Sequence, residues 1–316
     1  MEIITKQTYP VLLVGSGDLT AGVAMCLLKA GHKLDVCTSN KAAFNRLFKR
    51  HVNAQEKNTS QYYNLNNVNV SDTIPSASDC KLAIALTSEN KNIKQELIDK
   101  LETVLKKDAV IAINTESIPL NELSNKCANG KRLIGLNWTE PAHTTFFLEI
   151  IAGEENGDVA DKICELAKAY WGKDPYIVQN TGIRSRLISA MAREASFLVD
   201  NGYASFDDID RACRNDAGYY LPFSGNCRYM DLMGTNAYGM VMKELNPDLS
   251  KDQELPNFFK KILDNGGLGM ENKKGFYTYS DESIANWKRT MEKFSYQVKD
   301  IIKKYPFNYN KEKISE

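Results

Sequence analysis

The stretch RLIGLNWTEPAH, residues 132–143, changes character halfway. Leu133, Ile134 and Leu136 are apolar; Asn137, Trp138, Thr139, Glu140, Pro141 and His143 follow within seven positions. Such a segment reads as a buried strand running into a functional loop. Asn137 can hydrogen-bond a carbonyl but cannot take a proton at ordinary pH, so it is no general base. The chain has three histidines. His32 lies in a turn and His51 in a polar stretch. His143, six residues beyond Asn137, is the one able to reach the same cleft; a loop histidine bonded to solvent or backbone is the other reading. Trp138 either walls the cleft or packs.

A second constellation is VGSGDLTAG, residues 14–22, between an apolar run and a helical one. Gly15 permits a tight turn, and Gly17 lets backbone approach a pyrophosphate seated on the helix N-terminus. Gly15, Ser16, Gly17, Asp18 and Leu19 would then line a dinucleotide; a turn that only packs is the alternative. The third glycine position holds Thr20, which keeps helix and strand further apart. Asp18 puts a carboxylate near the phosphates, unfavourable unless it caps the helix. At the end of the second strand, where an acid reads the ribose of NAD, the chain has Thr38, Ser39, Asn40 and Lys41. Hydroxyls, an amide and a lysine suit a 2′-phosphate, so NADP is expected at least as readily as NAD.

The elements that must position these groups alternate. PVLLVG, KLDVCT, NVNVSD, KLAIALT, AVIAINT, LIGLNW, FFLEIIAG and PYIVQN read as strands, and DLTAGVAMCLLKAG, NKNIKQELIDKLETVL and DVADKICELAKAYWG as helices. The polar stretch 40–66 reads as a helical arm with a loop. Past residue 180 the pattern turns helical: SRLISAMAREASFLVDNG places Leu187, Met191 and Leu198 at helical steps, and Ser205 with Asp208 has capping-box spacing. GFYTY is the one further strand candidate, 283–304 a last amphipathic helix, and IIKKYPFNYNKEK an exposed tail. The expected fold is α/β: a Rossmann-type doubly wound parallel sheet over 1–180, followed by an all-α C-terminal domain over 181–316.

Bulk composition narrows the classes. Lys+Arg and Asp+Glu both number 40 in 316 residues, so no net field draws the chain to nucleic acid or anionic lipid. No apolar run approaches the roughly 20 residues of a membrane span. The start lacks the apolar core of a signal peptide, and a cytoplasmic protein is expected. Seven cysteines without a Cys-x-x-Cys pair read as buried, reduced thiols. No metal-ligand motif stands out.

Taken in order, VGSGDLTAG, SENKNIKQEL, INTESIPLNEL, RLIGLNWTEPAH, FLEIIAGE, EASFLVDNGYASFDDIDRA, YMDLMG and GLGMENKKGFYTY make the chain resemble the short-chain L-3-hydroxyacyl-CoA dehydrogenases, 3-hydroxybutyryl-CoA dehydrogenases among them. The resemblance implies hydride transfer between NAD or NADP and a 3-hydroxyacyl-CoA or related hydroxy acid, a role in fatty acid metabolism, and a homodimer formed through the helical domain. It implies a small-molecule substrate; the balanced charge and the lack of a long apolar run lead us to expect neither nucleic acid nor membrane as partner. It also implies a histidine–glutamate pair, the histidine taking the hydroxyl proton and the glutamate orienting it. Glu149 stands at the glutamate position, but Asn137 stands at the histidine. Glu116 replaces a serine that contacts the substrate oxygen, and Glu140 replaces an asparagine. Glu89 and Lys94 match positions touching the nicotinamide half of the cofactor, and Asn114 the turn beneath it. The family's Asn-Arg after Gly-Phe becomes Ser185 and Arg186 in a shorter TGIRSRLIS.

In that geometry Glu116, Glu140 and Glu149 converge, and like charges raise at least one pKa into a range useful for proton exchange. A cationic substrate or a hard cation would suit the same pocket. The competing reading is a catalytically silent homologue that binds a ligand or serves as a scaffold. YYLPF (219–223) either lines an acyl pocket or packs in the helical core; KRHVNAQEK either meets CoA phosphates or is a solvated helix face.

Overall fold

The computed structural model of the chain describes residues 9–306. Its chain divides into two compact units that meet at Arg186–Leu187. The first carries an eight-stranded sheet in the order β3-β2-β1-β4-β5-β6-β7-β8. The strands are β1 (Val11–Val14), β2 (Leu34–Cys37), β3 (Val68–Ser71), β4 (Leu82–Ala85), β5 (Val110–Ile113), β6 (Leu133–Asn137), β7 (Glu149–Ala152) and β8 (Tyr176–Gln179). All eight segments read as strands are strands. The inner ones, LAIA and VIAI, are buried throughout, as parallel strands covered on both faces must be. One pair breaks the parallel rule: β6 and β7 run antiparallel, with Asn137 directly opposite Glu149.

Helices α1 (Gly17–Lys29), α2 (Lys41–Thr59), α3 (Lys91–Val104), α4 (Leu120–Ser124) and α5 (Gly157–Leu166) flank this sheet. The polar arm is α2. Phe44, Phe48, His51, Val52 and Gln55 form one buried stripe at helical spacing, while Lys49 and Asn53 face solvent. The segment 49–57 is therefore only half a solvated face.

Helix α6 (Arg184–Asp200) begins at the end of the first unit and runs into the second, followed by α7 (Phe206–Ala212), α8 (Gly218–Met233), α9 (Thr235–Leu245), α10 (Asn257–Asp264) and α11 (Asp281–Lys304). Ser205 and Asp208 close the capping box that opens α7. Phe206, Phe258, Phe259 and Phe276 form one aromatic cluster, with Phe206–Phe258 and Phe259–Phe276 edge to face and Phe206–Phe276 tilted, and Tyr277 donates to Asp210 at 2.8 Å. That joins ASFDDIDRA to KKGFYTY. GFYTY forms isolated bridges rather than a strand, because its partners are single residues of its own turn. Leu187 and Met191 are exposed, as are Tyr219, Leu221 and Phe223. YYLPF thus packs in no core of its own unit. Cys26, Cys37 and Cys80 are buried, but Cys213 and Cys227 are exposed. Of the expected tail, residues 307–313 lie outside the described residues. No described helix is long and apolar enough to cross a membrane.

Candidate active site

The nucleotide loop closes tightly over β1. A Cβ on Gly15 would meet Thr20 Oγ1 at 2.6 Å and the Leu86 carbonyl at 2.9 Å, so only glycine fits. Gly17 has φ +81°, a left-handed conformation natural to glycine. Thr20, fully buried, donates back to the Ser16 carbonyl at 2.9 Å. A cavity of about 620 Å³ opens beside this loop, lined by Gly15, Ser16, Ser39, Asp72, Lys100 and Asn114 among others. Its size, its glycine floor and its place beyond the carboxyl ends of the strands fit a dinucleotide.

At the ribose end, Ser16 Oγ lies 3.1 Å from Thr38 Oγ1 and 2.9 Å from Ser39 Oγ. No acid stands at the carboxyl end of β2, where Thr38, Ser39, Asn40 and Lys41 follow. One does reach the cavity from the end of β3: Asp72, 3.7 Å from Lys41. Sequence spacing missed it because β3 is brought beside β2 only by sheet pairing.

Asp18 does not cap α1. Instead α2 takes its charge: Arg50 donates to both carboxylate oxygens at 2.8 and 2.7 Å, and His51 Nε2 lies at 2.6 Å. Burial works against that carboxylate, but the His51 and Arg50 bonds outweigh it and hold Asp18 far below the usual carboxylate range. The expected clash with a phosphate is thus met by a cation.

Beyond β4 and β5, Glu89, Lys94 and Asn114 build a turn. Glu89 Oε1 accepts from the backbone N–H groups of Glu116, Ser117 and Ile118 at 3.0, 2.7 and 3.0 Å. Its other oxygen pairs with Lys94 Nζ at 3.1 Å. Lys94 also donates to the Asn114 carbonyl at 2.7 Å, and Asn114 bridges both backbone groups of Thr87. Burial opposes the Glu89 charge, yet those N–H groups and Lys94 keep it below its ordinary value. These residues hold the turn that presents Glu116.

The pair at β6–β7 is closed. Asn137 is 1% exposed. Its oxygen accepts from Thr115 N–H at 2.8 Å, and its amide donates to the Thr115 carbonyl at 2.8 Å and to Glu149 Oε2 at 2.9 Å. Glu149, fully buried, also accepts through Oε1 from Tyr176 Oη at 3.0 Å and from the N–H groups of Ile183 and Arg184 at 2.9 and 3.1 Å. A Cβ on Gly182 would fall 2.4 Å from Glu149 Oε2. Burial, with the Glu149 charge added, drives the Tyr176 hydroxyl well above its ordinary pKa, so it stays a donor.

Glu116 is different. It is half-buried and bonds Ser185 Oγ, with Arg184 Nη1 at 3.4 Å. Burial raises its pKa; Arg184 and Lys94 oppose this, while Glu149 and Glu89 add to it. A carboxyl that holds its proton to higher pH, with solvent access, can exchange that proton during turnover.

The remaining expected residues lie elsewhere. Glu140 is exposed; the carboxylates whose charges bear most on Glu116 are Glu149 and Glu89, the latter brought close by the β4–β5 pairing. His143 is buried beside α1 and α2, its ring centroid 4.5 Å from that of His51 and its Nδ1 3.7 Å from where a Gly22 Cβ would stand. Trp138 is core, 5.6 Å from Trp171, with Lys173 Nζ 5.2 Å from its ring. Buried Lys173 also donates to the carbonyls of Ala142 and Thr145, pinning the loop after β6.

Comparison with known proteins bears on this arrangement. The model of the 3-hydroxyacyl-CoA dehydrogenase NAD binding domain matches residues 10–181, and that of the corresponding C-terminal domain residues 183–279. A 5-formyl-3-hydroxy-2-methylpyridine 4-carboxylate 5-dehydrogenase of Mesorhizobium japonicum is 26% identical over 209 residues, 65% of this chain and 67% of that protein. A 3-hydroxybutyryl-CoA dehydrogenase of Clostridioides difficile is 23% identical over 85% of this chain and 98% of its own length. The crystal structure of a dehydrogenase of the pyridine carboxylate, described as an NAD+ dependent dismutase, has a TM-score of 0.85 at 22% identity, covering 95% of this chain and all of that one. At that identity the likeness is one of fold.

Proposed function

We propose a proton route on one premise: the chain belongs to the 3-hydroxyacyl-CoA dehydrogenase family, matched across both of its halves. It is a nicotinamide-dependent oxidoreductase of a hydroxy acid or hydroxyacyl thioester. NAD or NADP, bound in the cavity beside Gly15 and Gly17, supplies or accepts the hydride. Asn137 cannot carry the accompanying proton, and every polar atom of the Asn137 side chain is already engaged. Glu116 carries it instead. The observation behind this assignment is a half-buried carboxyl with a raised pKa, held over the Glu89 turn and bonded to Ser185. Ser185 stands where the family has an asparagine and keeps the carboxyl oriented. Glu149 fixes the N-terminus of α6 and so the placement of Ser185.

A substrate panel of hydroxy acids and hydroxyacyl-CoA thioesters, run with both cofactors and followed by nicotinamide absorbance, tests the reading. Turnover is expected; no turnover and no cofactor binding would end it. The filled bonds of Asn137 and Glu149 also suit the second reading, a catalytically silent homologue. Asn137→His separates the two: under the silent reading the wild-type chain is inert and this variant gains hydroxybutyryl-CoA oxidation.

The chain is further read as a cytoplasmic homodimer. Leu187, Met191, Met240 and Val241 are each more than half exposed in the isolated chain, which supports a covering copy. Solution mass by light scattering checks it, with twice the chain mass of 35.5 kDa expected.

A further inference from the structure

The Glu116 site contains a cation that the proton route leaves unused. Arg184 opens α6, and its backbone N–H is tied to buried Glu149. Its side chain is anchored at the base and 31% exposed at the surface. The guanidinium carbon lies 5.6 Å from the Phe147 ring centroid. Its bond to Glu116 is long, 3.4 Å through a single nitrogen. Guanidinium offers five N–H groups in a planar fork made for a carboxylate. A single long contact leaves most of that capacity for another anion. An aromatic shelf and a fixed backbone supply the preorganisation such a subsite needs.

We propose that Arg184 is the receptor for a carboxylate carried by the substrate, seated beside the Phe147 ring, and that the incoming carboxylate displaces Glu116 from the guanidinium. The substrate class is therefore a small free acid, aromatic or short-chain, rather than a thioester whose acid group is masked. The inference deepens the reading of Glu116 as proton carrier by linking substrate arrival to its protonation, but the anion subsite itself needs neither cofactor nor turnover.

The linkage follows from the charges around Glu116. Arg184 and Lys94 favour its ionised form; Glu149 and Glu89, with burial, disfavour it. Lys94 is already paired to Glu89 at 3.1 Å. A carboxylate arriving on Arg184 neutralises the larger of the two favourable charges. Glu116 then takes up a proton from solvent and, as a neutral carboxylic acid, can give it to a keto acid in the reducing direction, while oxidation of the hydroxy acid uses the ionised form present above its raised pKa.

Benzoate and its neutral isostere benzamide are suitable probes, titrated into the whole chain by calorimetry near pH 6 in two buffers of different ionisation enthalpy. Benzoate is expected to bind at least about tenfold more tightly, a bidentate charged pair against a neutral contact. Its binding is expected to take up a sizeable fraction of a proton. Arg184→Gln should abolish the preference, and Arg184→Lys should keep only part of it. Glu116→Gln should retain benzoate binding and lose the proton uptake. Circular dichroism of each variant confirms the fold. Equal binding of the two probes, or an unchanged preference in Arg184→Gln, overturns the subsite. Proton uptake that persists in Glu116→Gln overturns the linkage. A chain that binds benzoate in this way yet oxidises nothing would refute the dehydrogenase reading and leave the subsite standing.

Discussion

Two carboxylates stand a short way apart in the first unit and have opposite surroundings. Glu149 is fully buried, with four neutral donors on its two oxygens. Glu116 is half-buried, bonded to a serine and loosely to an arginine, with solvent access. A carboxylate whose lone pairs are all filled positions its neighbours; one left partly open can trade protons and partners. The pair at the family's catalytic positions is fully engaged in hydrogen bonds, and the proton transfer proposed above lies on the next turn. Catalytic residues are recognised by what they are free to do, not by the position they occupy.

The contrast can be broken from the Glu149 side first. Gly182→Ala forces a methyl group to within 2.4 Å of Glu149 Oε2, with no room for the buried carboxylate to retreat. A loss of about 2–4 kcal/mol is expected in denaturant unfolding. Next, Glu149→Gln turns an amide N–H toward groups that are themselves donors; about 1–3 kcal/mol should be lost. If Glu149 were merely a spectator, both variants would unfold like the wild type.

A smaller effect tests the cofactor side. Asp18→Asn should cost about 1–2 kcal/mol, because Arg50 and His51 lose their anion. The sign with pH is fixed. The folded pKa of Asp18 is depressed below its ordinary 3.8, so its contribution is present above that value and is lost as pH falls below it. The variant should therefore lose this part of the acid sensitivity. Smallest is Thr38→Asp, which adds the missing ribose acceptor and should shift the NAD over NADP affinity ratio toward NAD by about tenfold. An unchanged ratio would mean that Asp72 already fills this role.

Much of this was legible beforehand. The eight strands are apolar runs closed by turn residues, and the Ser205 capping box is local chemistry. Gly15 and Gly17 occupy a motif whose physics is backbone reach. What escaped was tertiary. Glu140 is near Asn137 in sequence but exposed, whereas Glu89 reaches Glu116 because β4 and β5 are neighbours. His143 looked free to serve the cleft until α1 and α2 enclosed it. In TGIRSRLIS the positions matching the family's Asn-Arg are Ser185 and Arg186, whereas the charged residue beside Glu116 is Arg184, and the shortening of this segment is its one trace in the sequence.

The most direct test is the pH dependence of the single-turnover rate for the wild-type chain and for Glu116→Gln, each saturated with cofactor and a turned-over hydroxy acid. The account predicts a wild-type limb with an apparent pKa above the ordinary glutamate value of 4.5. In Glu116→Gln that limb should vanish and the rate should fall by about 10²–10⁴. The same limb at an unchanged rate would show that the proton travels by another residue.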